Sequence, residues 1–192
     1  MIHILRNPSS STHPRRAVFF DRDGVINPLI KVDGVYTSPK NPSQFKFFPQ
    51  VFQAIAMVQM NGFMTFIVTN QPGVMEGTQT LEELNELTTV LMDWLQVDGI
   101  YNAIDKNKPD YKPGNGMLEH FINKFDLVRE NCYIIGDRWK DIVPGHTSGI
   151  NTIFVGETYD TPKEYEHIKP DCTCSDVYDA CNYIVETNYE RF

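Results

Sequence analysis

The sequence has no long apolar run, no basic run longer than two residues and no internal repeat. Its longest apolar stretches are strand-sized, short of the roughly 20 residues that a membrane-spanning helix needs. The opening segment, Met1 to Arg16, also lacks an apolar core of signal-peptide length, so the expectation is a cytoplasmic protein with no membrane partner. Positive charge is scarce: 17 Lys and Arg stand against 25 Asp and Glu, a formal net charge of -8. Such a field repels polyanions, and with no basic or aromatic tracks nucleic acid is not expected as a partner. Cysteine is sparse as well. Cys132, Cys172, Cys174 and Cys181 all fall in the last third, with no secretory context, and read as free thiols. Cys172 and Cys174 share a face if the segment is a strand, but no His lies at ligand spacing, and small buried side chains explain the pair without a metal.

What is present fits one domain, since a chain of 192 residues buries about 70% of its unfolded surface. Residues 1–16, with Pro8, Ser9, Ser10, Ser11 and Pro14, read as a flexible leader; residues 17–192 read as the domain. Apolar strand-like runs occur at Ala17 to Phe20, Phe63 to Thr69, Ile100 to Ile104, Cys132 to Asp137 and Asn151 to Val155, with a further strand around Cys172. Helical spacing separates them. A helix begins at Pro49 with Val51, Ile55, Val58 and Met60 on one face and stops at Asn61-Gly62. Thr80 and Glu83 form a capping box before a stripe of Leu81, Leu84, Leu87, Leu91 and Leu95. Further helices are expected over Pro113 to Phe125, in a short piece near Asp141 holding Pro144-Gly145, and after Ser175 with Val177, Cys181, Ile184 and Val185 inward. Alternating strands and helices predict an α/β fold: a Rossmann-like, doubly wound parallel sheet with helices on both faces and no large cap domain. Pro28 to Pro42 reads as a loop turning at Asp33-Gly34, either a lid or a connector.

Ligands of such sheets sit beyond the carboxyl ends of the strands, and the polar residues collect there. The first strand ends in Asp21-Arg22-Asp23-Gly24, the second in Thr69-Asn70-Gln71-Pro72-Gly73, and the fourth in Gly136-Asp137, with Asp141 four residues later. Tyr111-Lys112-Pro113-Gly114 precedes a helix, which places Lys112 near that helix's positive end. Taken singly, each has a bland reading: an Asp-Gly turn, a strand threonine, a surface lysine, a helix cap. Together they supply carboxylates, neutral donors and a fixed cation at one edge of one sheet.

This ordered set resembles the haloacid dehalogenase superfamily of phosphatases, and its wording resembles the branch of heptose bisphosphate and histidinol phosphatases, from about Ala17 to Gly156. The resemblance implies Asp21 as a nucleophile that forms an aspartyl-phosphate, and Asp23 as general acid and then base. It implies Thr69 and Lys112 as holders of the transferring group, and Mg²⁺ on Asp21, the Asp23 main-chain carbonyl and Asp137. Asp141 would orient Lys112 or a metal-bound water. Asn70, Gln71, Tyr111 and Arg138 would face the substrate, a small phosphorylated metabolite. The nearest named candidate is heptose 1,7-bisphosphate; the alternatives are histidinol phosphate, whose amine would suit Glu76 and Asp110, a nucleic acid 3′-phosphate, or a non-catalytic sugar-phosphate binding or scaffold role. No feature specifies an oligomer.

The chain departs from the branch in three places. Where relatives carry a zinc loop, residues 101–111 hold neither Cys nor His, so no structural zinc is expected. Tyr111 stands where relatives have arginine, and Met75-Glu76 where they have a basic residue. Those two losses predict little gain from a second phosphate, unless Arg138, Lys106 or Lys108 compensates.

Overall fold

The computed structural model describes residues 1–4, 15–157 and 159–189. The sheet is built around β2 (Ala17–Phe20), preceded in the chain by β1 (Ile2–Ile4); all four β2 residues are fully buried. Alternate side chains of a strand face opposite ways, and here both ways are covered. Val18 and Phe20 enter an apolar layer with Val51 and Ile55 of α1 (Val51–Met60). Ala17 and Phe19 enter another with Phe121 and Phe125 of the helix Gly116–Phe125. Phe19 stacks on Phe66 at 5.4 Å between ring centroids, and Phe66 on Phe121 at 4.3 Å. Truncating one such ring costs about 3–5 kcal/mol.

Between β2 and α1 lies a separate antiparallel hairpin, β3 (Ile30–Val32) and β4 (Val35–Thr37). Its turn residues Asp33 and Gly34 have φ of 48° and 84°, the left-handed pair that a two-residue hairpin turn needs. After α1 come β5 (Met64–Asn70), α2 (Leu81–Leu95), β6 (Gly99–Ala103), α3 (the Gly116–Phe125 helix) and β7 (Cys132–Gly136). Then follow α4 (Trp139–Thr147), β8 (Asn151–Val155), β9 (Cys172–Cys174) and α5 (Val177–Tyr189). The strand order is β1-β6-β5-β2-β7-β8-β9, parallel throughout except for β1. The fold is thus the expected doubly wound sheet, and only the small hairpin is inserted over its first strand end. Among the described residues no helix is long and apolar enough to cross a membrane.

Several local expectations need correction. Ile2 to Ile4 is not leader but an edge strand on β6, because the sheet edge offers unpaired backbone groups and the Met1 amine donates to the Asn102 carbonyl at 2.7 Å; the rest of the expected leader through Pro14 lies outside the described residues. The loop 28–42 contains the hairpin. Met60 and Leu81 are exposed, since each sits at the end of its helix where the apolar stripe leaves the sheet. α3 begins at Gly116 rather than Pro113: Gly114 N–H bonds the Tyr111 carbonyl and Gly116 N–H the Pro109 carbonyl, turns that fold the chain back first. Lys112, joined to Pro113 by a cis peptide, therefore precedes the helix instead of lying at its positive end. α5 is capped by Asp176, whose carboxylate accepts from the Tyr178 and Asp179 amides, not by Ser175. The Thr80 capping box forms as read.

Candidate active site

Register brings the polar strand ends together. Phe20 pairs with both Ile67 and Ile135, so Asp21, Thr69 and Asp137 emerge side by side at one edge of three adjacent strands. The Asp21 amide continues the ladder to the Ile135 carbonyl at 3.0 Å, fixing its backbone. Above these ends is a cleft of about 200 Å³ whose walls include Asp21, Asp23, Thr69, Asn70, Tyr111, Lys112, Arg138 and Asp141. Every candidate except Gln71 and Asp137 lines it.

Lys112 is the hub of the floor. Its buried ammonium donates to Asp21 Oδ1 at 2.7 Å, Asp141 Oδ1 at 2.5 Å and the Val68 carbonyl at 2.9 Å, using all three hydrogens. Among the described residues nothing bonds Asp21 Oδ2, which leaves that oxygen available for chemistry. Burial works against the Lys112 cation, but Asp141 and Asp21 outweigh it and hold its pKa above the usual lysine value. Asp141, on the first turn of α4, spends its other oxygen on the Arg138 amide at 3.1 Å. Gly136 makes room for it, since a Cβ there would lie 2.1 Å from Asp141 Cβ. Asn70 clamps the lysine's backbone from the opposite side, accepting from Lys112 N–H and donating to Lys112 C=O, both at 2.9 Å. That clamp holds Lys112 in place without a helix beneath it.

Asp23 sits in a separate donor cage. Arg22, with no exposed surface, donates to both of its oxygens, at 3.0 Å and 3.1 Å from Nη2; Asn27 Nδ2 adds a bond at 2.9 Å and Gln71 Nε2 one at 2.8 Å. Burial alone would raise the Asp23 pKa, but the Arg22 charge and these hydrogen bonds prevail and hold it below the ordinary carboxylate value. Gln71 Nε2 also donates to Thr69 Oγ1 at 3.0 Å. Both amide hydrogens of Gln71 are spent inside the protein, and the residue expected to face the substrate instead ties the acid to the threonine. With its oxygen already accepting, the Thr69 hydroxyl keeps its own hydrogen to give.

Three acids define an oxygen-rich point. One carboxylate oxygen from each of Asp21, Asp137 and Asp141 lies within 4.8 Å of the others. Asp137 Oδ1 is buried without a hydrogen-bond partner, a costly state for a carboxylate. Burial pushes Asp137 up to about 6, helped by Asp141, and pushes Asp21 up to about 7, with Lys112 opposing. Each observation describes acid charge in deficit of a cation, and the donor set is all oxygen, which fits a hard divalent ion. Gly24, at φ 97°, permits the close approach: a Cβ there would lie 2.2 Å from Asp137 Oδ2.

At the rim the charges pair differently from any count of them. Glu76 is ion-paired with Lys106, both exposed, and Asp110 accepts a 2.8 Å bond from the Tyr101 hydroxyl. The two acids that would suit a substrate amine are therefore engaged. Arg138 is exposed, with Nε 3.8 Å from Asp137 Oδ2.

Comparison with known proteins places this geometry. A HAD-hydrolase-like family model matches residues 111–180. The D-glycero-beta-D-manno-heptose-1,7-bisphosphate 7-phosphatase of Vibrio cholerae is 32% identical over 71% of this chain and 78% of its own length. The chain belongs to the haloacid dehalogenase-like phosphatases. The Helicobacter pylori heptose bisphosphate phosphatase is 27% identical to this phosphatase, over 80% of the chain and 92% of the relative. The crystal structure of D,D-heptose 1,7-bisphosphate phosphatase from B. bronchiseptica, complexed with magnesium and phosphate, superposes on it with a TM-score of 0.74 at 22% identity, covering 90% of this chain and 99% of that one.

Sequence reading missed two residues of the site. Arg22 was only the spacer between two acids, yet it is the largest fully buried side chain and the main charge on Asp23. Lys140 lines the cleft; its place between Asp137 and Asp141, in the first turn of a helix that starts at a strand end, was a signal that could have found it.

Proposed function

We propose that this phosphatase hydrolyses the phosphomonoester of a small phosphorylated sugar through an aspartyl-phosphate on Asp21, with Mg²⁺ as cofactor. The observation that carries the reading is the Asp21–Lys112–Asp141 chain beside the unpartnered Asp137 oxygen. It combines a nucleophile, a fixed cation and a cation-deficient acid group at one strand edge. Mg²⁺ would be held by the Asp21 and Asp137 carboxylates and the Asp23 main-chain carbonyl, and when bound it screens a phosphoryl dianion that would otherwise repel an anionic nucleophile.

The chain's own groups supply the rest. Asp21 attacks phosphorus, and the P–O bond to the sugar breaks as the P–O bond to Asp21 forms. Lys112 and the Thr69 hydroxyl hold the phosphoryl oxygens in flight. Asp23 gives a proton to the leaving alkoxide, then takes one from the water that attacks the aspartyl-phosphate; phosphate leaves and both acids are restored. Arg22 keeps Asp23 ionised at rest, so it takes a proton from solvent when the substrate dianion enters and raises its proton affinity, and returns one to solvent after the aspartyl-phosphate is hydrolysed. Asn70 and Gln71 serve as positioning residues for Lys112, Thr69 and Asp23. The heptose bisphosphate phosphatases among the relatives make heptose 1,7-bisphosphate the first substrate to test.

The test is phosphate release from a panel of sugar phosphates and from nitrophenyl phosphate, with Mg²⁺ and with EDTA. Turnover that EDTA silences and Mg²⁺ restores is expected; full activity in chelator would refute the metal assignment, and no turnover of any phosphomonoester would refute the function.

A further inference from the structure

We infer that Cys172 and Cys174 form a metal site of their own, a two-thiolate chelate for a divalent cation of the Zn²⁺ class, at the sheet edge away from the catalytic cleft. Both lie on β9, which pairs only with β8 and is separated from β2 by two strands. The sequence allowed small buried side chains to account for the pair, but the structure leaves both thiols half-buried. As alternate residues of a strand they share one face, against the layer that holds Ala180 and Cys181 of α5, while Thr173 between them points out to solvent. Their sulfurs lean together to 3.8 Å.

That separation distinguishes two uses of a thiol pair. Alternate strand residues stand ~6.6 Å apart with nearly parallel Cα–Cβ bonds, whereas a disulfide needs Cβ atoms ~3.8 Å apart. Direct bonding of the two sulfurs would therefore pull β9 out of its pairing. A zinc–thiolate bond is ~2.3 Å, and two such bonds at a tetrahedral angle place their sulfurs ~3.8 Å apart, so a cation enters with the strand unmoved.

The surroundings also favour a cation. Among the described residues no ion pair reaches Asp176 or Asp179, although Asp176 Oδ1 accepts from the Tyr178 and Asp179 amides. Burial holds the Cys174 thiol up to about 12, with Cys172, Asp179 and Asp176 adding to the effect. Binding then displaces a proton from each thiol to solvent as the two metal–sulfur bonds form, with no change of oxidation state. Among the described residues the one group of three ligand side chains within a single ion's reach is Asp21, Asp137 and Asp141, so the other positions at the thiol pair fall to solvent.

The experiment titrates the reduced protein, in saturating Mg²⁺ to fill the acid group, with Cd²⁺, whose bonds to thiolate absorb in the ultraviolet, and then competes with Zn²⁺. One Cd²⁺ should bind per chain with that absorption and release two protons, and Zn²⁺ should displace it. Cys172→Ser and Cys174→Ser should each lower the affinity by about tenfold or more, while Cys132→Ala, which removes a buried thiol on β7, should leave it unchanged. A second reading needs no variant: on wild type, Zn²⁺ should slow alkylation of Cys172 and Cys174 by iodoacetamide, located by peptide mass, and Mg²⁺ should not. No thiolate absorption at one equivalent, absorption that survives both serine substitutions, or alkylation indifferent to Zn²⁺ overturns the inference.

Discussion

The floor of the cleft and its rim are built by different rules. On the floor, Asp21, Thr69 and Asp137 take their positions from strand register, and Lys112 is locked to Asp21 at 2.7 Å and to Asp141 at 2.5 Å. On the rim, Glu76, Lys106, Asp110, Arg138 and Lys140 hang from loops and a helix start, and their partners depend on side-chain reach. A buried charge must be matched, so the floor tolerates little change; an exposed charge is solvated whatever its neighbour does, so the rim can be rewired without loss of fold. On the proposed reading the floor carries the reaction, and the rim carries the choice of substrate.

Changes to the floor should have the largest effects. Asp21→Asn keeps the shape and removes the nucleophile, with an expected loss in kcat on the order of 10⁴-fold or more, measured as phosphate release. Asp23→Asn should cost about 10² to 10⁴-fold on sugar phosphates but much less on nitrophenyl phosphate, whose leaving group needs little protonation. Equal losses on both substrates would take Asp23 out of the acid role. Lys112→Met strands two buried carboxylates and should cost about 3–5 kcal/mol in denaturant unfolding as well as activity. If stability were unchanged, the hub would not be the charge lock described.

The metal expectation joins stability to pH. Asp21 at about 7 and Asp137 at about 6 hold protons more tightly folded than unfolded, where both titrate near 3.8. Stability from these two groups is therefore full below pH 4 and is lost as pH rises toward 7. Asp23, held below its ordinary value, acts in the opposite sense and loses its contribution only as pH falls through that lowered value. Divalent cation binding should offset the first effect, so Mg²⁺ should raise Tm more at pH 7.5 than at pH 5, by roughly 5 to 10 °C at a hundredfold excess over Kd. Equal increments at the two pH values would break the link between the acid group and the cation. The smallest effect belongs to the rim: replacing both Glu76 and Lys106 with Gln should change the bisphosphate-to-monophosphate ratio less than about twofold, because the exposed pair cancels itself.

This division also decides how much was legible in the sequence. The doubly wound sheet, the strand carrying Asp21 and the grouping of Asp21, Thr69, Lys112, Asp137 and Asp141 could be read because apolar runs ending in polar residues have few ways to fold into a parallel sheet. Asn70 and Gln71 were placed at the right strand end, and Asn70 lines the cleft, but nothing in Thr69-Asn70-Gln71 says that one amide bonds Asp23 and the other the Lys112 backbone. Pro113 suggested a helix start, but the turns from Pro109 to Gly116 intervened. Counting lost cations at Tyr111 and Glu76 predicted little use for a second phosphate. That count left out the pairing of Glu76 with Lys106, which depends on a contact between segments far apart in the chain.

The most direct measurement is the covalent intermediate itself. A single turnover with substrate labelled in the phosphoryl group, quenched in acid and mapped by peptide mass, should find label on the peptide containing Asp21, released by hydroxylamine as expected of an acyl phosphate and absent from Asp21→Asn. Phosphate released at the normal rate with no label ever bound to protein would mean direct attack by water, and would contradict the assignment of Asp21 as the nucleophile.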